Sequence, residues 1–406
     1  MLIDPKNPWK SRAAVVLFFV IAAGTWSNAF FSIFSTLFIV CSLISVFQTR
    51  DFRVFRNGLA ILAAFFVLMN LLSLTQTQHL GNSVRGVLKV LRSVALCLSV
   101  VHVVDTELQF KRVFQAYLVT ALVIGLDALL QGVTGYEVLM QRERIAFWVG
   151  KAWRITGPFH HPNDFSAYLS LVIFLFIGAL AQGTKTVPFR RFIFYSAGLL
   201  VTGMCLLGTY SRGAWVAVFL TFVLMSIFLR SRWAMLVMVG MSCLIFFVSP
   251  PSLQLRIQSL FNPKTGTLVE RAELWRESLR MIQAKPLLGH GPNTYSKTEP
   301  LFKSADSKVD DQYAHNGYLH LAAEIGLLGL LSFLSVVFYF FKETLPSFLS
   351  TGKSFLKAAG LGLVFGIFSF LIHSATDTDL QSLLLVNLFW ISVGTAWAAK
   401  NCLEKP

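Results

Sequence analysis

The chain has 406 residues, of which 55% are hydrophobic and only 14% charged, with 38 phenylalanines. Soluble chains of this size carry about 25% charged residues, so a water-facing globular protein is excluded. The net charge of +15 would suit nucleic acid, but the placement of the basic residues points elsewhere.

Apolar runs approaching the ~20 residues needed to cross a bilayer fall at roughly 13–24, 27–47, 57–75, 86–104, 113–132, 165–182, 192–209, 212–229, 233–249, 315–341, 355–373 and 380–399. They predict an all-α polytopic integral membrane protein with about 12 transmembrane helices. The alternating short strands of a barrel are missing. Lys10 and Arg12 give the first run the look of a signal peptide, but a second span follows at once, so it reads as a retained anchor.

With the N-terminus inside, Arg50, Arg53, Arg56, Lys111, Arg112, Lys185, Arg190, Arg191, Arg230, Arg232, Lys342, Lys353, Lys357, Lys400 and Lys405 all fall on cytoplasmic connections. Basic residues there set orientation, which turns the charge into a topology signal and predicts both termini in the cytoplasm, with no nucleic-acid partner. Cys41, Cys97, Cys205 and Cys243 lie in spans and Cys402 in the tail, leaving no disulfide framework. The chain divides into spans one to nine (1–249), a long outer loop (250–314), and spans ten to twelve with a cytoplasmic tail (315–406), forming one membrane domain.

In the fourth span, "NSVRGVLKVLRSVALCLSVV", Arg85, Lys89 and Arg92 recur at steps of four and three. Such residues share one helix face. They suit either snorkelling to headgroups or a cationic stripe facing a cavity that takes a phosphate group. Before the sixth span, "RITGPFHHPNDFSAYLSL" brings Arg154, His160, His161 and Asn163. Pro162 ends any preceding helix, and Asn163 or Asp164 is the expected cap of the next. In "GTYSRGAWVAV", Tyr210, Ser211 and Arg212 stand where the seventh span turns into the eighth. Ser211 is a candidate N-cap. An arginine fork beside a helix N-terminus suits an anion, and equally an interfacial anchor beside Trp215.

The loop over 250–314 contains "VERAELWRESLRMIQAKPLLGHGPNTY", whose apolar spacing predicts an amphipathic helix over roughly 268–284, stopped at Pro286 and the Gly289–Pro292 cluster. "AHNGYLHLAAEIGLLG" follows, with His315 at its polar head. Asn316, His320 and Glu324 lie on another face, and Glu324 is expected to be neutral or paired with Lys89 or Arg92. The last outer turn, "SATDTDLQS", carries Asp377 and Asp379. They could hold a cation, cap the last helix, orient a histidine or pair with an arginine. These groups gather at one membrane boundary, which favours an enzyme on a lipid-linked anionic substrate over a transporter, whose polar groups sit near the midplane.

Four stretches in order, "RITGPFHHPNDFSAYL", "TYSRGAW", "ERAELWRESLRMIQAKPLLGHGPNTY" and "AHNGYLHLAAEIGLLG", resemble the O-antigen ligase and polymerase superfamily of membrane glycosyltransferases. The resemblance covers about 150–330 by motif and nearly the whole chain by topology. It implies a GT-C-like fold in the inner membrane of a Gram-negative bacterium, with the active site at the periplasmic face. The donor is then undecaprenyl diphosphate-linked O-antigen, the acceptor a sugar hydroxyl of lipid A-core and the product lipopolysaccharide, with membrane lipids as surroundings and no cofactor. The family's essential arginine falls on Arg212, its loop arginine on Arg271 and its histidine on His315. The mechanism so implied is inverting and metal-independent, with His315 as general base. Lys89 and Arg85 are expected to join the diphosphate set, and Arg154, His161, Asn163, Tyr210, Asn316, Glu324 and Asp377 to support it. Polymerases and protein-directed oligosaccharyltransferases share the donor. A transporter of lipid-linked glycan is the alternative from another class.

Overall fold

The computed structural model describes residues 7–23, 27–143, 147–149, 152–182, 187–232, 251–259, 266–304, 313–350 and 354–405, with isolated residues between 235 and 247. In lipid, backbone groups must bond to one another, and helices accomplish this within a segment. The described helices are α1 (Pro8–Ala23), α2 (Asn28–Thr49), α3 (Gly58–Ser73), α4 (Leu80–Val103), α5 (Glu107–Thr134), α6 (Pro162–Leu180), α7 (Phe189–Gly208) and α8 (Arg212–Phe228). After them come α9 (Pro251–Gln258), α10 (Gly266–Ala284), α11 (Tyr295–Thr298), α12 (Gly317–Leu349), α13 (Phe355–Ser374) and α14 (Leu383–Glu404). Two hairpins of two-residue strands, Tyr136–Glu137 with Arg142–Glu143 and Trp148–Val149 with Ala152–Trp153, interrupt the connection from α5 to α6.

Among the described residues, 9 helices are long and apolar enough to span a bilayer, namely α2 to α7 and α12 to α14. The chain is an all-α polytopic membrane protein. The predicted first and eighth spans correspond to α1, with 16 residues, and α8, with 17. The predicted ninth, 233–249, lies almost wholly outside the described residues. Several boundaries shift outward. The helix α5 starts at Glu107 because Thr106 and Gln109 form a reciprocal capping box. Pro162 occupies the first turn of α6, and His161 is its N-cap, accepting the Asn163 N–H on Nδ1 at 3.1 Å. Neither Asn163 nor Asp164 caps that helix as expected, because proline lacks a donor and suits the first helical position.

The helix α6 is the axis of the bundle, with 83% of its span buried against 33% for α7. It packs most extensively on α13, and small residues permit the approach. A Cβ on Gly178 would lie 2.6 Å from the Ala358 carbonyl oxygen and 2.9 Å from the Gly362 Cα. With Gly366 against Leu171 one turn on, the crossing follows the small-residue logic of membrane helix pairs.

The helix α12 is broken. Gly326 has φ 72° and ψ 177°, which removes the regular bonds from residues 327 and 328 back to 323 and 324. The segment 286–291 fills the gap from both sides. Leu327 and Leu328 N–H donate to the carbonyls of Pro286 (2.8 Å) and Leu287 (3.3 Å), while His290 and Gly291 N–H donate to those of Ala323 (3.2 Å) and Glu324 (2.8 Å). Ser73 at the end of α3 also donates to Leu288 O and Glu324 O. Gly289 (φ 66°) and Gly326 touch across this seam so closely that a Cβ on either would strike the other's backbone neighbours. Left-handed backbone and missing space both demand glycine there.

Candidate active site

A cavity of ≈ 200 Å³ opens where α6, α8 and α12 begin and α13 ends, roofed by α9 and α10. Its wall contains Arg154, His161, Asn163, Arg212, Arg256, Arg271, His315, His373 and Asp377. Of the residues predicted for the site, seven meet here: Arg154, His161, Asn163, Arg212, Arg271, His315 and Asp377.

His315 immediately precedes Asn316, the N-cap of α12, whose side chain accepts the Tyr318 and Leu319 N–H groups at 3.0 Å each. His315 itself has φ 44°, a strained backbone of the sort that clusters at functional sites. Its Nδ1 lies 3.2 Å from Asp377 Oδ1, and the Gly317 N–H anchors the Asp377 carbonyl at 2.9 Å. Burial opposes the charge on Asp377, but the His315 hydrogen bond and the charges of His315, His373 and Arg271 hold its carboxyl well below the usual range. An ionised carboxylate only accepts, so Nδ1 carries the hydrogen and Nε2 becomes the basic nitrogen of His315.

Asp377 is fixed in turn by a chain of side chains. Asn163 Nδ2 donates to its Oδ2 at 2.5 Å, and Arg154 donates to Asn163 Oδ1 at 2.6 Å and to the Thr209 carbonyl at 2.7 Å. Arg271 of α10 stands 3.7 Å from Asp377 Oδ2. The first turn of α6, the end of α7, the loop helix and the α13–α14 turn thus all converge on the partner of one histidine. Asp377 and Asp379 do not cap α14, whose N-cap is Ser382. Their carboxylates are taken by histidines instead.

Four guanidinium groups crowd the same cavity. Arg212 NH1 donates to Ser259 O (2.9 Å) and Oγ (3.2 Å), and Arg256 Nε to the Tyr210 carbonyl at 3.2 Å. Burial first, then repulsion from neighbouring arginines, lowers Arg154 and Arg256 to about 10. Both remain cationic at neutral pH. Against Arg154, Arg212, Arg256 and Arg271 the wall sets two acidic residues, Glu270 and Asp377, an excess of two positive charges. Mutual repulsion of this kind is relieved by a bound anion, and guanidinium forks suit phosphate oxygens.

A second histidine–carboxylate pair lies beneath the first. His373 Nδ1 is 2.8 Å from Asp379 Oδ2, both fully buried, and His373 Nε2 reaches Ser166 Oγ (3.3 Å) and Ser211 Oγ (3.5 Å). Ser211 begins α8 without a side-chain cap bond, because its hydroxyl turns toward His373. Burial, reinforced by Asp377, pushes the Asp379 carboxyl up, the opposite direction to its neighbour. Sequence reasoning missed Arg256 and His373. A lone arginine in a short polar helix and a histidine at the end of an apolar run carry no local signal.

Other expected residues stand elsewhere. Tyr210 has left-handed backbone (φ 52°) and directs its hydroxyl to Ser252 Oγ at 3.2 Å, so it braces α9. Lys89 and Arg85, expected on the diphosphate, are absent from this wall. The helix α4 packs on α2, α3 and α14, away from α6 and α8. Arg85 is exposed, Lys89 donates to Asn293 Oδ1 at 2.8 Å, and Arg92 lies over the Phe31 ring at 4.9 Å. Glu324 pairs with none of them. It meets His320 Nε2 at 3.3 Å and accepts the Asn293 and Tyr295 N–H groups at 2.8 and 3.0 Å.

No curated protein matches the chain. A family model described as O-antigen ligase matches residues 197–334, a stretch that includes Arg212, Arg256, Arg271 and His315 and leaves Arg154, Asn163 and Asp377 outside it. Over that stretch the chain is similar to the O-antigen ligase family, and the nine apolar helices already described agree with a multi-pass membrane protein.

Proposed function

We propose that the protein is an O-antigen ligase. It transfers glycan from undecaprenyl diphosphate to a sugar hydroxyl of lipid A-core at the periplasmic face of the inner membrane, with both termini in the cytoplasm. The observation that carries this reading is the juxtaposition of the arginine cluster with the His315–Asp377 pair in one cavity. A diphosphate supplies the negative charge the arginines lack, and a hydroxyl nucleophile needs the base that the pair provides.

The acceptor hydroxyl attacks the anomeric carbon from the face opposite the diphosphate, and its proton passes to His315 Nε2. The new carbon–oxygen bond forms as the bond to phosphate breaks. The electron pair leaves with undecaprenyl diphosphate, whose growing charge Arg212, Arg256 and Arg271 stabilise. A diphosphate departs as an anion without protonation, so the site requires a base and no matching acid. Asp377 holds the imidazole in the productive tautomer and steadies the imidazolium that forms. Inversion follows from the single displacement.

The test is deletion of the gene in the source bacterium, followed by gel analysis of lipopolysaccharide. Loss of the O-antigen ladder with intact core and accumulated lipid-linked polymer is the expected result. A core bearing a single repeat would replace the ligase reading with a polymerase. An unchanged ladder would remove both.

A further inference from the structure

Behind the N-terminal turns of α12 lies a second cavity, of ≈ 180 Å³, bounded by α3, α4, α12, α14 and the segment that follows α10. It is smaller than the roughly 300–1,000 Å³ clefts that hold drug-sized ligands, which leaves room for about one ring. Trp390, Phe66 and Tyr313 give it aromatic walls, and Lys89, His320 and Gln381 bring polar groups to the same surface. Two of those groups are unsatisfied. His320 Nδ1 and Gln381 Oε1 are buried and have no hydrogen-bond partner, which costs free energy unless a ligand supplies one.

The wall is held in shape. His320 stacks on Tyr295 with ring centroids 4.2 Å apart, and the Tyr313 ring lies 6.1 Å from it. Glu324 fixes the backbone of Asn293, which adopts φ 60° and accepts from Lys89. The combination selects among ligands. An isoprenoid chain would leave His320 and Gln381 unpaired in an apolar setting. A phosphate would find a single cation, already engaged with an amide. A sugar ring offers an apolar C–H face to the aromatics and a rim of hydroxyls that both donate and accept.

The cavity is also next to the reacting centre. His320 follows His315 by five residues, and Gln381 follows Asp377 by four in the same turn. We infer that this cavity is an acceptor subsite, holding one sugar ring of the acceptor glycan next to the ring whose hydroxyl reacts at His315. The inference rests on the functional reading above, in which the acceptor is a saccharide.

The test uses the full-length protein in lipid nanodiscs, with Lys89→Met and Gln381→Leu compared against the unsubstituted chain. Transfer from lipid-linked donor to lipid A-core should show KM for the acceptor rising ~10-fold or more, as for a lost hydrogen bond to a charged or buried group. KM for the donor should stay within about twofold, and unfolding midpoints should match. A rise confined to the donor, or no change for either substrate, overturns the subsite. A second arm measures equilibrium binding of delipidated core oligosaccharide to His315→Ala protein, where turnover cannot intervene. Saturable binding that Gln381→Leu weakens ~10-fold supports the subsite, and its absence overturns it. Failure of the unsubstituted chain to transfer glycan at all refutes the ligase reading instead, and the binding arm still decides the subsite.

Discussion

Two cavities flank the head of α12, and they are built on opposite plans. The first gathers four arginines from the α5–α6 connection, α8, α9 and α10 around one histidine–aspartate pair. The second has a single lysine, aromatic walls and two buried polar atoms without partners. Charge without shape suits a diphosphate, whose oxygens are equivalent and whose position is set by electrostatics. Shape with sparse, directional polar groups suits a ring of hydroxyls, where each group must be met individually. One helix end can therefore present two substrates to each other while recognising them by different physics.

The sharpest way to separate the two cavities is His315→Ala. Removing a general base lowers kcat by ~10²–10⁴-fold, and binding of both substrates should survive, as measured by single-turnover transfer beside equilibrium binding. Retained turnover would take His315 out of the mechanism. Next come Arg271→Ala and Arg256→Ala, which should raise KM for the donor ~10–100-fold each, the worth of a hydrogen bond to a charged group. Acceptor affinity should not follow; if it does, the cavities are one functional unit.

Asp377→Asn should lower kcat by ~10–100-fold, as loss of the group that orients a functional histidine does. Its pH behaviour sharpens the point. Because the folded protein holds Asp377 below its ordinary value of 3.8, the stabilisation from its charge is present above that value and is lost as pH falls below it. Replacing Asp377 with Asn should therefore leave the shape of the pH–kcat profile near neutrality unchanged. The smallest effect on catalysis is expected for Gly326→Ala, which lies in neither cavity wall and instead forces a side chain into left-handed backbone against the Leu287 carbonyl. A stability loss of roughly 1–3 kcal/mol should appear in thermal unfolding, and an unchanged midpoint would mean the seam with residues 286–291 is dispensable.

Much of the first cavity was legible in the sequence. Arg154, His161, Asn163, Arg212, His315 and Asp377 sit where an apolar span meets a polar stretch, so hydropathy alone assigns them one depth. Arg271 is an exception, on an amphipathic helix, and the family resemblance singled it out. The limits are equally physical. Periodicity put Lys89 on a helix face, but not opposite any particular neighbour, and the fold sets it in the wall of the second cavity and not beside the arginines. Arg256 and His373 join the cavity through tertiary packing that no local pattern encodes. The break at Gly326 was invisible, since a glycine in an apolar run reads as small and nothing more. Whether Asp377 and Asp379 cap α14 or face histidines could be read only once His315 and His373 were seen beside them.

That break has a consequence for how the protein is made. The upper turns of α12 lack a complete set of internal bonds, and the missing ones come from residues 286–291, upstream in the chain. A bare α12 would enter lipid with unpaired amides and carbonyls, each costing several kcal/mol. The broken form of α12 therefore depends on residues 286–291, which precede it in the chain and are made before it. The connection before α12 is thus a built-in escort for its own transmembrane segment, and a loop exchanged between relatives would have to bring its matching helix with it.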